Sequence, residues 1–244
     1  MMNPHRSTKG TGNPVAIRHR VEVLEGRLCP SCGFTLSDLN TNLLVQGDQR
    51  ANVVEISDNG AGAISVTCDG VARPAFTGID TVVVRTGNGN DKVVYTLTGN
   101  LTTARSIDIA LGNGLDRADL TFGSAVAARD IGQNLSVKVD GGNAKDTVNA
   151  GFSINLLANA SVNLDLQGGE GSDVVTAQAS VGTADSTSKL HAHVLGGNGP
   201  DNVTLNANGA GLATIPASAL DLILDGGLGP DKCTATSNVT KQSC

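Results

Sequence analysis

An all-β fold, a right-handed parallel β-helix or β-solenoid with coils of about 28 residues, is what this sequence predicts, on three observations. First, a glycine-rich hexad ending in aspartate occurs six times, at 86–91 (TGNGND), 111–116 (LGNGLD), 141–146 (GGNAKD), 168–173 (GGEGSD), 196–201 (GGNGPD) and 226–231 (GGLGPD). Its aspartates recur after 25, 30, 27, 28 and 30 residues, a period that means stacked supersecondary units. Second, apolar residues alternate on both sides of every copy in one register. Third, the chain holds 31 glycines and only 2% aromatic residues, which suits thin layers of small side chains closed by tight corners better than a bulky core.

In chain order, residues 1–38 read as a flexible basic leader. Within residues 1–32, Arg6, Lys9, Arg18, Arg20 and Arg27 stand against Glu22 and Glu25, a balance of 5 − 2 = +3 that leaves −6 − 3 = −9 for the remainder. The leader lacks the apolar stretch of a secretory signal. Residues 39–240 read as one solenoid, beginning with a capping coil and excursion over 39–80. There the degenerate hexad 47–52 (GDQRAN) carries Asn52 in the aspartate's place, between Leu43 and Val45 upstream and Val54 and Ile56 downstream. The excursion over 57–76 includes a strand at 64–68. An atypical first coil protects the end of a stack from edge-to-edge association.

Residues 81–240 carry the six repeats. Val84, Ile109, Val139, Leu166, Val194 and Leu224 occupy one position before the hexads, and Val82, Ile107, Val137, Leu164, Ala192 and Leu222 lie two residues earlier. After the hexads come Val93, Ala118, Val148, Val175, Val203 and Cys233, then Tyr95, Leu120, Ala150, Ala177, Leu205 and Ala235. This pattern spells strand, glycine turn, strand, with one face of each strand buried.

An acidic body with few aromatics lacks both the charge and the stacking faces of a nucleic-acid binder, and suits cations instead. No stretch reaches the apolar length of a membrane span. Of the five cysteines, Cys29 and Cys32 form a single C-x-x-C without the second pair of a zinc site. Cys68 and Cys244 carry no motif, and Cys233 is expected to pack as a small apolar residue.

The pattern Gly-Gly-x-Gly-x-Asp followed by alternating apolar residues resembles the hemolysin-type, or RTX, calcium-binding repeat. The resemblance implies Ca2+ as cofactor, with Asp91, Asp116, Asp146, Asp173, Asp201 and Asp231 as side-chain ligands. It also implies that the second-position glycines Gly87, Gly112, Gly142, Gly169, Gly197 and Gly227 lie in the carbonyl-bearing turns. Independently of the family, six in-register carboxylates would repel one another by about 1 kcal/mol per neighbour in water and several times more when partly desolvated. A divalent cation turns that repulsion into coordination by hard oxygens.

Three departures matter. RTX units are nine residues long, so this longer period adds a segment to each coil. The third copy has Ala144 for its fourth glycine and Lys145 beside Asp146, which marks it as weak or metal-free. Thr86 and Leu111 replace the first glycine of the first two copies. The other reading of the hexads is a plain corner, with aspartates accepting backbone N–H groups as in an Asx turn; Asn88, Asn113, Asn143 and Asn198, able to stack in a ladder, fit either reading.

One outward column reads Val83, Asp108, Lys138, Asp165, His193 and Ile223, a structural charge ladder or, alternatively, the acid/base groove of a polysaccharide-active β-helix. His191 and His193 share an outward face as H-x-H, with no third metal ligand evident. Segment 21–31 resembles the Leu-Glu-x-Arg motif preceding the extracellular domains of many planctomycete surface proteins, on Leu24, Glu25, Arg27, Pro30 and Ser31. The expected protein is a non-catalytic, extracellular or cell-surface, calcium-binding structural or adhesive solenoid. Its expected partners are calcium ions and cell-surface polysaccharide or other surface proteins, and it is expected neither to bind nucleic acid nor to span a membrane. A calcium-independent surface solenoid is the first alternative, and a polysaccharide-active β-helix enzyme the second.

Overall fold

The computed structural model describes residues 32–244 as a β-solenoid of two facing sheets. The motif of segment 21–31 and Cys29 lie outside the described residues. One sheet collects the strands that enter the glycine corners: Asn42–Gln46, Thr81–Asn88, Arg105–Asn113, Leu135–Asn143, Ser161–Glu170, Lys189–Asn198 and Leu220–Leu228. The other collects those that leave: Val53–Asp58, Lys92–Leu97, Arg117–Phe122, Thr147–Leu156, Val174–Ala184, Asn202–Asn208 and Lys232–Ala235. Corresponding strands of successive coils pair in parallel, so that Val84, Ile109, Val139, Leu166, Val194 and Leu224 form one unbroken row of ladder partners.

That row and the other apolar rows form the core. All the residues named before the hexads are at most 4% exposed, as are those named after the hexads in the first five repeats. Tyr95, Phe122 and Phe152 add an aromatic stack, with ring centroids 5.5 and 4.4 Å apart. The unequal period is absorbed on the far side of the coils, in loops that include the short strand Arg129–Ile131 and the 3-10 turns Ala210–Thr214 and Ala217–Ala219. Corners and flanking strands thereby keep register while the connections vary. Among the described residues no helix is long and apolar enough to cross a membrane.

The first coil is capped by antiparallel additions. Gly33–Ser37, inside the segment expected to be leader, pairs with Asn42–Gln46. The excursion forms Ile64–Cys68 against Val53–Asp58, followed by Val71–Ala72. A Cys32–Cys68 disulfide ties the two caps together. Cys32 is therefore committed to a bond that the C-x-x-C spacing did not suggest. Cys233 likewise differs from expectation: at the thin last coil it is half-buried and bonded to Cys244.

Under the N-terminal cap lies a buried ionic group that the repeat does not announce. Arg105 Nε donates to Asp58 Oδ2 at 2.7 Å and its Nη2 to Oδ1 at 3.3 Å, while the Tyr95 hydroxyl also donates to Asp58. Both charged side chains are fully inaccessible to solvent. The Asp58 carboxylate and burial together hold the Tyr95 phenol well above its usual range, burial being the larger cause.

Candidate functional site: the aspartate column

Each corner places hexad positions one and six inward and turns positions two to five outward. The sharp bend requires left-handed backbone at position two, where φ runs from 95° at Gly227 to 114° at Gly197. Close stacking adds a second demand, since a Cβ on Gly197 would stand 2.1 Å from the carbonyl oxygen of Gly169. Ala144 occupies the fourth position with φ 81°, a region costing an L-residue about 1–2 kcal/mol. Ala144→Gly is therefore expected to raise stability by up to about 1 kcal/mol in chemical denaturation, because glycine's own entropy cost offsets part of the relief.

The six aspartates do form one column. Oδ1 of each accepts the backbone N–H of the residue at the same position in the coil before: Asn52 to Asp91 (2.7 Å), Asp91 to Asp116 (2.6 Å), Asp116 to Asp146 (2.8 Å), Asp146 to Asp173 (2.7 Å), Asp173 to Asp201 (2.7 Å) and Asp201 to Asp231 (2.9 Å). The Asx-type reading anticipated a bond inside each corner. The bonds instead run between coils, so each aspartate stitches its neighbour.

The second oxygen of all six, Oδ2, is buried without a hydrogen-bond partner. Asp91, Asp116, Asp146, Asp173 and Asp201 are 1–3% exposed, and Asp231, in the thin last coil, is half-buried. Burial, opposed by the N–H bond, raises the carboxyls of Asp91 and Asp201 and pushes Asp116 up to about 6, Asp146 to about 7 and Asp173 to about 6. Neighbouring carboxylates of the column add to the rise at Asp116, Asp146, Asp173 and Asp201, while at Asp91 the contributors are Asp48 and Asp69.

The free oxygen faces the first position of its own hexad. A Cβ on Gly168 would lie 2.7 Å from Asp173 Oδ2 and 2.4 Å from the carbonyl oxygen of Gly196 in the next coil. The same arrangement holds at Gly141 and Gly196, and at Gly226 the carbonyl of Ser243 takes the place of the next hexad's. First-position carbonyls thus share this space with the carboxylates, whereas the second-position glycines expected to supply carbonyls lie on the outer side of the strand. Buried side chains of Thr86 and Leu111 fill the equivalent space in the first two copies. Orphaned carboxylate oxygens beside peptide carbonyls are the hard donors that Ca2+ prefers, so the donor chemistry fits the ion. Among the described residues no three His, Cys, Asp or Glu side chains already converge as a metal-holding group, so carbonyl oxygens must complete any calcium shell.

Outside the corner, Asn113 donates to Asn88 at 2.7 Å and Asn143 to Asn113 at 2.6 Å, an exposed amide ladder, and further along Asn198 donates to Glu170. The outward column has the expected register from Val83 to Ile223. Arg85 binds Asp108 there at 2.5 Å. Asp221, which the H-x-H motif alone did not reveal, stands beside the histidines. Among family models, curated proteins and solved structures, none matches the chain.

Proposed function

We propose that the protein is a non-catalytic, calcium-binding structural solenoid of the cell exterior, as the resemblance of its hexads to the RTX repeat implies. One observation carries this reading: six buried carboxylate oxygens without a partner, stacked in a single column. Asp173, Asp201 and Asp231, in the copies that keep the full Gly-Gly-x-Gly-x-Asp pattern, are the strongest ligands. Asp91 and Asp116 follow, and Asp146, beside the strained Ala144, is the weakest. When bound, calcium supplies the positive charge that offsets the column's repulsion and satisfies the free oxygens. The two disulfides support an oxidising location outside the cytosol. A rod with long repetitive outer faces suits a structural or adhesive role toward surface polysaccharide or other surface proteins.

The Oδ1 ladder favours a second reading, a calcium-independent rod, because those bonds join the coils whether or not metal is present. Calcium titration of Asp201→Asn and Asp146→Asn separates the two. The amide keeps an oxygen for the ladder and removes the charge. Asp201→Asn is expected to lower calcium stoichiometry and Asp146→Asn to leave it nearly unchanged. Equal losses would contradict the ranking, and no saturable binding by the unmodified protein would favour the second reading.

A further inference from the structure

We propose that His191, His193 and Asp221 form a surface site for a divalent transition-metal ion of the zinc class, separate from the aspartate column. In a strand, residues two apart point the same way, so the H-x-H sequence puts both imidazoles on one face of Lys189–Asn198. Parallel register then sets Asp221 beside His191 on the following coil and Asp165 beside His193 on the preceding one. Asp221 Oδ2 lies 2.9 Å from His193 Nε2 and 3.8 Å from His191 Nδ1, so one carboxylate oxygen already stands within reach of both rings.

Two imidazoles and a carboxylate are a borderline nitrogen and oxygen set, the kind that holds zinc or neighbouring first-row metals while leaving positions for water. Their side chains are 35%, 42% and 46% exposed, so an ion can enter and the groups can turn from their mutual hydrogen bond toward it. The backbone beneath is held by buried Ala192 and Leu222, which keeps the three Cα positions fixed. The three side chains do not yet converge on one point, so zinc binding requires the imidazoles and the carboxylate to turn about these Cα positions. Asp165 places a second carboxylate on the far side of His193 in the ladder, adding negative potential.

Zinc chloride titrated into the full chain by calorimetry, in excess calcium to occupy the oxygen-only column, is the test. The unmodified protein is expected to show one saturable zinc site that is lost in the His191→Ala/His193→Ala double variant. Asp221→Ala is expected to weaken it by about tenfold or more, and calcium binding is unchanged in either variant. Zinc uptake that persists in the double-histidine variant would overturn the site. So would uptake indifferent to Asp221→Ala, since that would leave only the two histidines of the motif.

Discussion

Arg105→Met is expected to lower the stability of the protein by about 3–5 kcal/mol, the usual cost of stranding one partner of a buried ion pair. Asp58 would remain fully buried, keeping only the Tyr95 hydroxyl and the Gly60 N–H as donors. The cost falls where the capping excursion joins the first repeats, since Arg105 also donates to the carbonyl of Ile79. Replacing both charges, as in Asp58→Leu/Arg105→Met, should recover much of the loss, because two apolar groups of similar size avoid the desolvation that an ion pair only partly offsets. Denaturant unfolding of the single and double variants measures both. A loss below about 1 kcal/mol in Arg105→Met would show that the pair does not hold the cap as described.

Without calcium, stability is expected to fall as pH rises, the opposite of ordinary acid denaturation. Asp116, Asp146 and Asp173 have folded-state pKa values of about 6, 7 and 6, above the usual aspartate value of 3.8. The folded chain therefore binds more protons than the unfolded one between about pH 4 and 7. The stabilisation is complete below the unfolded pKa and is lost as pH climbs through the folded values. Each tenfold difference in acidity of one group corresponds to about 1.4 kcal/mol, so the metal-free protein should lose a few kcal/mol between pH 5 and pH 8. At about 2–4 °C per kcal/mol for a chain of this size, the melting temperature in chelator should drop visibly across that range. A flat profile would mean that the column is not desolvated as its burial indicates.

Much of this architecture was legible in the sequence because the solenoid repeats its logic. A hexad that needs left-handed glycine, flanked by alternation in constant register, identifies corners, strands and the inward rows, and it located the capping strand Ile64–Cys68. The misses lie where the repeat is broken or where partners sit on neighbouring coils. Arg105 stands in an inward row otherwise filled by Leu135, Val162 and Leu190, and Asp58 stands beside Leu97 at the end of another. Two charges in apolar rows, 47 residues apart, were a signal for an internal ion pair. Asp221 was equally accessible, because it occupies the same place in its repeat as His191, one column from the outward row that was read. The Cys32–Cys68 and Cys233–Cys244 bonds had no such signature, since spacing says nothing of which loop ends meet at the two ends of a rod. Aspartate register was foreseeable from the hexad, whereas the bond from each Oδ1 to the preceding coil depended on backbone direction at the corner.

Thermal melting of the unmodified protein at pH 7.5, in calcium and in chelator, shows whether the aspartate column binds calcium. Ligand that binds only the folded chain stabilises it by RT ln(1 + [L]/Kd), about 2.7 kcal/mol for a single site at a hundredfold excess over Kd. With several sites in one column, the melting temperature should rise by well over 5 °C in calcium and return to its lower value on chelation. Coincident melts in the two conditions would mean that the column binds no calcium, leaving the Oδ1 ladder as its whole role.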